Sequence, residues 1–290
     1  MHFVKAKAIL SAGNGMNLYR GCLHGCIYCD ARSLCYQMNH VFEDIAVKEN
    51  ALELLEQTLK RKRKRCMIGT GAMTDPYLPI EEKLCLTRGA LELIDQYGFG
   101  VAVQTKSAKI LRDLELLDRI NRRSKAVVQM TLTTHDDALC RLIEPNVSVT
   151  SERVAALKVF RDAGIPTVVW LSPILPFLND TRENIEDILQ SCIDAKVKGI
   201  LCFNMGVTLR DGNREYFYAQ LDRHFPGLRE RYILAYGNRY ELLSPRNEEL
   251  MELFHGICEE NGILHDVNAV FAYLHDFTEQ ADNSQISLFD

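Results

Sequence analysis

The chain has 290 residues, of which 47% are hydrophobic and 25% are charged. Its 34 lysines and arginines against 39 aspartates and glutamates give a formal net charge of -5, which excludes a general attraction to nucleic acid or anionic membrane but leaves room for a local basic patch. The apolar fraction excludes a wholly disordered chain, and the length is typical of one α/β barrel or of two small domains.

Short runs of β-branched and aliphatic residues alternate along the chain with stretches of helical periodicity. The runs predict strands at Met16–Arg20, Cys66–Gly71, Gly100–Thr105, Ala126–Thr133, Thr167–Ser172 and Gly199–Asn204. The stretches between them predict helices at Asn50–Arg63, Leu84–Tyr97, Lys109–Asn121, Ser151–Ala163, Thr181–Ala195 and Asn213–His224. Apolar strands joined by helix-length crossovers pair in parallel, so the pattern predicts an α/β fold, and six such units favour a partial (β/α)6 TIM-like barrel.

The chain changes character near residue 229. Helices predicted at Asn247–Asn261 and Asn268–Asp276 indicate a C-terminal helical extension that packs on the barrel. We therefore divide the chain into a barrel at 1–228, an extension at 229–277 and a polar, flexible tail at 278–290.

The chain contains ten cysteines, which are too dilute for a small disulfide-stapled scaffold. Residues 1–15 lack the apolar run of a secretory signal, and no run of 18 apolar residues occurs, which predicts a cytoplasmic protein without a membrane segment. Cysteines in that compartment are reduced thiols or metal ligands. Seven of them are isolated in the sequence and are expected to be small core residues, namely Cys35, Cys66, Cys85, Cys140, Cys192, Cys202 and Cys258.

The other three cysteines form a cluster directly after the first predicted strand. Cys22, Cys26 and Cys29 have the spacing C-x3-C-x2-C. Three thiolates this close in sequence can bind three irons of a [4Fe-4S] cluster and leave the fourth iron without a protein ligand. Alternatively, the three thiolates bind zinc, with His24 or Cys35 as the fourth ligand. The sequence has no second pair of close cysteines or histidines, which favours the iron–sulfur cluster.

This motif, with an aromatic residue before its third cysteine, resembles that of the radical SAM superfamily. A longer ordered set of pieces resembles the spore photoproduct lyase-like branch, also described as DNA repair photolyase-like. The pieces are Tyr-Arg-Gly-Cys-x3-Cys-x-Tyr-Cys at 19–29, Thr-Asp-Pro-Tyr at 74–77 with Pro79 and Glu81, Thr-Lys-Ser at 105–107, Glu144-Pro145, and Pro-Ile-Leu-Pro at 173–176 before Asn179-Asp180. The resemblance implies an enzyme with a partial barrel of the radical SAM type. Such an enzyme cleaves S-adenosylmethionine reductively at a [4Fe-4S] cluster, and the 5'-deoxyadenosyl radical abstracts hydrogen from a substrate.

The resemblance also implies residues that bind the cofactor, which are Tyr28, Asp75, Lys106, Ser107, Thr131 and Thr133. Tyr28 is expected near the adenine, and Lys106 is expected to pair with the methionyl carboxylate at the barrel end where such folds build sites. Asp75 is expected near the amino group. These residues also have structural alternatives. Tyr28 packs against the loop, Lys106 is solvent-exposed, and Asp75 caps a turn. Thr131 and Thr133 occur in a strand simply because threonine favours β-structure. Likewise, Glu144 meets a ligand or forms a structural pair with Arg153.

The branch further implies a nucleic-acid substrate in a DNA repair-like, lyase-like reaction, and a reductant such as flavodoxin or ferredoxin. Its lyase carries a hydrogen-donor cysteine in the loop after the second strand and a tyrosine after the third cluster cysteine. Here the loop 70–75 has no cysteine and Asp30 follows Cys29. We therefore do not expect spore photoproduct itself as the substrate. The catalytic residues stay unassigned, and Cys140, in a different loop, is a weak candidate.

Two further segments bear on partners. Lys60 to Arg65 are six consecutive basic residues, which form either a solvated helix end or a phosphate-contacting patch. The final residues, Gln-Ile-Ser-Leu-Phe-Asp at 285–290, resemble the peptide that binds the bacterial sliding clamp, with Gln285, Leu288 and Phe289 as anchors. Alternatively, the two apolar anchors fold back on the barrel. The rival to the enzyme is a zinc-stabilised, non-catalytic nucleic-acid-binding module tethered to the clamp.

Overall fold

The computed structural model describes residues 1–277. Its strands are β1 (His2–Val4), β2 (Gly15–Met16), β3 (Tyr19–Arg20), β4 (Ala46–Lys48), β5 (Met67–Thr70), β6 (Gly100–Thr105), β7 (Ala126–Thr131), β8 (Thr167–Trp170), β9 (Gly199–Leu201), β10 (Gly206–Thr208) and β11 (Glu241–Leu243). Its helices are α1 (Ala51–Arg61), α2 (Glu81–Leu84), α3 (Leu86–Tyr97), α4 (Leu114–Arg123), α5 (Asp137–Ile143), α6 (Thr150–Asp162), α7 (Arg182–Asp194), α8 (Asn213–His224), α9 (Leu228–Tyr236), α10 (Asn247–Glu260) and α11 (Val267–His275). Short 3-10 turns lie at Asp30–Arg32, Leu34–Tyr36 and Ala108–Asp113.

The main sheet has six strands in the order β2-β5-β6-β7-β8-β9, and each neighbouring pair is parallel. Helices connect the successive strands from β5 to β9, as helix-length crossovers require. The predicted fold class, a partial TIM-like barrel with a helical C-terminal part, is confirmed.

The two faces of the sheet have different neighbours. Val101 and Val103 of β6 belong to the large core cluster that contains the crossover helices. Ala102, on the opposite face of the same strand, packs in a cluster with Val270 and Leu274 of α11. The C-terminal helix therefore covers the inner face of the barrel near the strand starts. The division of the chain at residues 228 and 277 stays a prediction.

The single strand predicted at Met16–Arg20 is wrong in one respect, because it is two strands. Met16 pairs with Thr70 in the main sheet, whereas Tyr19 pairs antiparallel with Val47 in a separate three-stranded sheet of order β1-β4-β3. The chain leaves one sheet and enters the other within two residues. Both halves have strand-like side chains, so composition alone gives no sign of the break.

The structure also contains elements that periodicity did not predict, among them β1, β4, α2, α5, α9 and the antiparallel pair of β10 with β11. Within residues 1–277, no helix is long and apolar enough to cross a membrane. The clamp-binding peptide predicted at 285–290 and the tail from 278 onward lie outside the described residues.

Candidate functional site

A cavity of about 290 Å³ opens where the strands of the main sheet end. It is lined at the ends of four neighbouring strands, by residues 71–75 after β5, 104–106 at the end of β6, 131 at the end of β7 and 172–173 after β8. The cysteine loop forms another wall. Parallel α/β folds place their sites at this end because the connecting loops converge there.

The cysteine loop has its shape because of a glycine and backbone hydrogen bonds. Gly21 has φ of 88°, and a Cβ at this position would lie 2.4 Å from the carbonyl oxygen of Phe42, so only glycine fits. The N–H of Cys22 donates to the same oxygen at 3.2 Å. On the far side, the side chain of Asn146 donates to the carbonyl of Leu23 at 2.9 Å. The start of the loop is thus held by two other segments of the chain.

All three cysteines of the motif line the cavity. Burial and the neighbouring Cys29 raise the pKa of Cys22 to about 12, while backbone N–H groups of His24 and Asp75 that face its sulfur act in the opposite direction. Burial also raises the pKa of Cys26 and of Cys29. The thiols therefore stay protonated until a metal replaces the protons, and the N–H donors suit a sulfur that carries negative charge.

The spacing of the sulfurs bears on the zinc hypothesis. Among the residues that the structure describes, one group of three candidate ligand atoms lies entirely within 4.8 Å, and the three cysteine sulfurs are not that group. One zinc ion bound at about 2.3 Å would hold its sulfur ligands about 3.8 Å apart. Cys35, a proposed fourth zinc ligand, instead accepts a hydrogen bond from Arg210 at 3.3 Å. At least two of the three sulfurs are thus farther apart than two ligands of one zinc ion would be.

Lys106 contributes a positive charge to the cavity. Its Nζ lies 5.8 Å from the ring centroid of Tyr28. Burial lowers the pKa of Lys106, but electrostatic interactions with Cys26 and with the Glu144 carboxylate outweigh that effect and the net shift is upward. The half-buried ammonium group therefore stays charged, and a carboxylate in the cavity is a suitable partner for it.

Asp75 connects two loops of the cavity wall. Its Oδ1 accepts hydrogen bonds from the hydroxyl of Thr105 at 2.7 Å and from the N–H of Tyr77 at 2.8 Å. Its Oδ2 accepts the N–H of Lys106 at 2.7 Å. These bonds fix the loop after β5 to the end of β6, and the expected contact of Asp75 with a cofactor amino group stays a prediction.

A buried ion pair supports the wall from behind. Arg153 and Glu144 are hydrogen-bonded to each other with exposed fractions of 0% and 1%, as the structural alternative predicted. The hydroxyl of Tyr28 donates to the same carboxylate, and Arg153 also donates to the carbonyl of Thr131 at 2.8 Å. Two residues of the cavity wall are thereby tied to one buried pair.

Cys140 lies in that buried network and not among the residues that line the cavity. Its sulfur is 3.3 Å from Arg153 Nη2 and 3.5 Å from Glu144 Oε2. Burial and the charge of Glu144 raise its pKa to about 11, so the thiol is protonated at neutral pH. The surroundings of Cys140 resemble those of a core residue.

Most of the predicted cofactor-binding residues lie together. Tyr28, Asp75, Lys106 and Thr131 line the cavity. Two others do not: the hydroxyl of Ser107 accepts the N–H of Lys109 at the start of a 3-10 turn, and Thr133 lies beyond the end of β7, buried with its hydroxyl 3.5 Å from Glu144 Oε1.

The structure adds lining residues that the sequence did not indicate. The Tyr36 hydroxyl donates to Asp30 Oδ2 at 2.7 Å, which together with burial raises the pKa of Tyr36 to about 12. Val207 and Thr208 of β10 complete the opposite wall. These residues enter the site through tertiary pairing, for which the sequence carries no local signal.

The fold and the cavity define a partial TIM-like barrel with a loop of three cysteines at its mouth. The chain belongs to the radical SAM superfamily, whose family model matches residues 16–216. Membership implies a radical-based enzyme with a [4Fe-4S] cluster and S-adenosylmethionine as its cofactors.

Several proteins are similar to this chain. It is 30% identical over 242 residues to the uncharacterised protein Rv2578c of Mycobacterium tuberculosis (strain ATCC 25618 / H37Rv). The aligned region covers 81% of this chain and 70% of the relative. It is 34% identical over 169 residues to the uncharacterised protein MJ0683 of Methanocaldococcus jannaschii. That aligned region covers 58% of this chain and 62% of the relative. A mutant spore photoproduct lyase solved with AdoMet and dinucleoside spore photoproduct superposes with a TM-score of 0.64 at 14% identity, over 91% of this chain and 80% of the lyase. The predicted resemblance to the superfamily and to that lyase is confirmed, the latter at the level of the fold.

Proposed function

We propose that Cys22, Cys26 and Cys29 hold a [4Fe-4S] cluster and that S-adenosylmethionine binds beside it in the cavity. When bound, such a cluster supplies the electron that cleaves S-adenosylmethionine to methionine and a 5'-deoxyadenosyl radical, which abstracts hydrogen from the substrate. The observation that carries this proposal is the set of three thiols, two buried and one partly buried, on the wall of a cavity at the barrel mouth. Backbone N–H donors face two of the sulfurs.

The protein residues would bind, orient and shield the cofactor. The Lys106 ammonium would neutralise the methionyl carboxylate, and the ring of Tyr28, held in place through its hydroxyl, would contact the adenine. Thr131, on the inner wall, is placed to hydrogen-bond the ribose or the carboxylate. Burial of the site in the barrel mouth would exclude water and limit side reactions of the radical.

For the substrate we propose a nucleic acid, in a reaction other than the repair of spore photoproduct. The lyase of similar fold was solved with a dinucleoside bound, and this supports a nucleic-acid substrate through the fold alone. The cavity of the present chain has a different set of hydrogen donors. Its wall at 71–75 carries no thiol, and Asp30, in hydrogen-bond contact with Tyr36, occupies the position after the third cysteine. We therefore propose no hydrogen transfer through a cysteine of the loop at 71–75.

Anaerobic reconstitution with iron and sulfide tests the proposal. The reduced protein should contain about four irons per chain and release 5'-deoxyadenosine from S-adenosylmethionine. Cys26→Ala should abolish the release. Cys35→Ala is the matched control, because its sulfur contacts Arg210 outside the cavity and its loss should leave the release unchanged. Stoichiometric zinc without iron, or equal loss of release in both variants, would contradict the proposal.

A further inference from the structure

We propose that His2, His40 and Asp44 form a binding site for one divalent transition-metal ion, with Zn²⁺ as the matching ion. His2 begins β1, and the other two residues lie in the loop before β4. One ring nitrogen of each histidine and one carboxylate oxygen of Asp44 all lie within 4.8 Å of one another. The site is distinct from the cysteine cavity, because none of the three residues lines that cavity.

The strongest evidence is the environment of His40. Its Nδ1 lies 2.9 Å from the carbonyl oxygen of Val41, which can only accept, so Nδ1 carries the hydrogen and a neutral ring presents a lone pair at Nε2. That Nε2 atom is buried and has no hydrogen-bond partner in the part of the chain that the structure describes. A metal-bound histidine has this arrangement, with one nitrogen fixed to a backbone carbonyl and the other on the metal.

The other two ligands complete a mixed nitrogen and oxygen set. His2 Nδ1 lies 2.9 Å from Asp44 Oδ2, and the rings of His2 and His40 are 4.9 Å apart in an edge-to-face arrangement. Zinc binds imidazole nitrogen and carboxylate oxygen at about 2.0–2.2 Å, so small side-chain movements bring all three atoms onto one ion. Two imidazoles disfavour Ca²⁺ and Mg²⁺, which prefer oxygen ligands. Water would fill the fourth position of this partly exposed site.

Two further contacts lie beside the proposed metal site. The α-amino group of Met1 lies 2.5 Å from Asp44 Oδ1, which leaves Oδ2, on the His2 side, for the metal. Between the two loop ligands, the carbonyl of Phe42 accepts the N–H of Cys22. A metal bound here would therefore fasten β1 to the same short loop that contacts the start of the cysteine motif.

Zinc binding to a chain in which Cys22, Cys26 and Cys29 are all replaced by alanine tests the site without competing thiolates. Competition against a chromophoric chelator should give one equivalent of bound Zn²⁺. His40→Gln should weaken the affinity at least about tenfold, the loss typical of disturbed metal-site residues. His135→Gln, at an exposed histidine 3.7 Å from Asp187, is the matched control and should bind as the parent does.

Cobalt provides a spectroscopic readout of the ligand set. Co²⁺ in this background should show visible d–d bands without a thiolate charge-transfer band, and His40→Gln should remove the bands. Thermal unfolding of the cluster-loaded chain repeats the test without the alanine replacements, and Zn²⁺ should raise the Tm of His135→Gln but not of His40→Gln. Equal Zn²⁺ responses in those two variants would overturn the site and leave the proposal for the cysteine cavity unaffected.

Discussion

Replacement of Glu144 by glutamine should destabilise the protein strongly, because the charge of Arg153 would then be buried without a counter-charge. The two residues have exposed fractions of 1% and 0%. Removal of one partner of a buried ion pair typically costs about 3–5 kcal/mol of unfolding free energy. Arg153 retains two backbone acceptors, Thr131 O at 2.8 Å and Ser148 O at 2.6 Å, and glutamine preserves the shape of glutamate. We therefore expect the lower end of that range, about 3 kcal/mol.

Thermal unfolding followed by circular dichroism measures this cost. In a chain of this length 1 kcal/mol corresponds to about 2 °C, so Glu144→Gln should lower Tm by about 6 °C. The control is Glu82→Gln, which breaks an exposed pair with Lys109 at 2.6 Å and should cost less than about 1 kcal/mol. Adding Arg153→Met to Glu144→Gln should recover part of the loss, because no charge then stays buried alone. A Tm for Glu144→Gln equal to that of Glu82→Gln would refute the reasoning.

Four other predictions follow from the same structure. Burial raises the pKa of Glu144, but its two cationic neighbours outweigh burial and the net shift is downward. The Tm difference between the parent and Glu144→Gln should thus be full above the unfolded pKa of about 4.3 and shrink as the pH falls through the lowered folded pKa; a difference that widens there would contradict the shift. Lys106→Met should raise the S-adenosylmethionine concentration for half-maximal 5'-deoxyadenosine release by about 10- to 100-fold, since a charged hydrogen bond contributes about 1.5–3 kcal/mol; unchanged half-saturation would exclude the contact. Gly71→Ala should cost at least about 1–3 kcal/mol, because φ is 102° and the new Cβ would lie 1.9 Å from a backbone oxygen, whereas Gly69→Ala, with nothing within 4 Å of its Cβ, should change stability by about 0.5 kcal/mol at most; the two Tm values should therefore differ. Deletion of 285–290 should abolish binding to a bacterial sliding clamp in surface plasmon resonance, and retained binding would rule out the peptide.

The barrel could be predicted from the sequence because each strand and helix carries its own local pattern. The strand β6 and the helix α8 have the bounds that periodicity predicted. The break between β2 and β3 depends on which distant strands pair with Met16 and Tyr19. The pairing of β10 with β11 joins segments more than thirty residues apart. Such choices are made by tertiary contacts, which outweigh local propensity.

The candidate site, like the fold, can be predicted from the sequence only in part. The cysteine motif is visible because its ligands are close in sequence. Thr131 and Thr133 would share one face of a strand that continued through both, because side chains alternate along a strand. However, β7 ends at Thr131 and the alternation ends with it. Tyr36 enters the cavity wall through a hydrogen bond to Asp30, and its spacing from the motif gives no indication of that contact.

The basic run at 60–65 lies at the other end of the barrel from the cavity. The segment 60–65 joins the end of α1 to the start of β5, whereas the cavity lies where β5 ends. At about 3.3 Å per residue, the four residues of β5 separate them by about 13 Å along the barrel. Lys60 pairs with Glu56 at 2.8 Å, and Lys62 donates to Asn14 Oδ1 at 2.6 Å. The run therefore lies at the opposite end of β5 from the cavity, and it gives no support of its own to a nucleic-acid substrate.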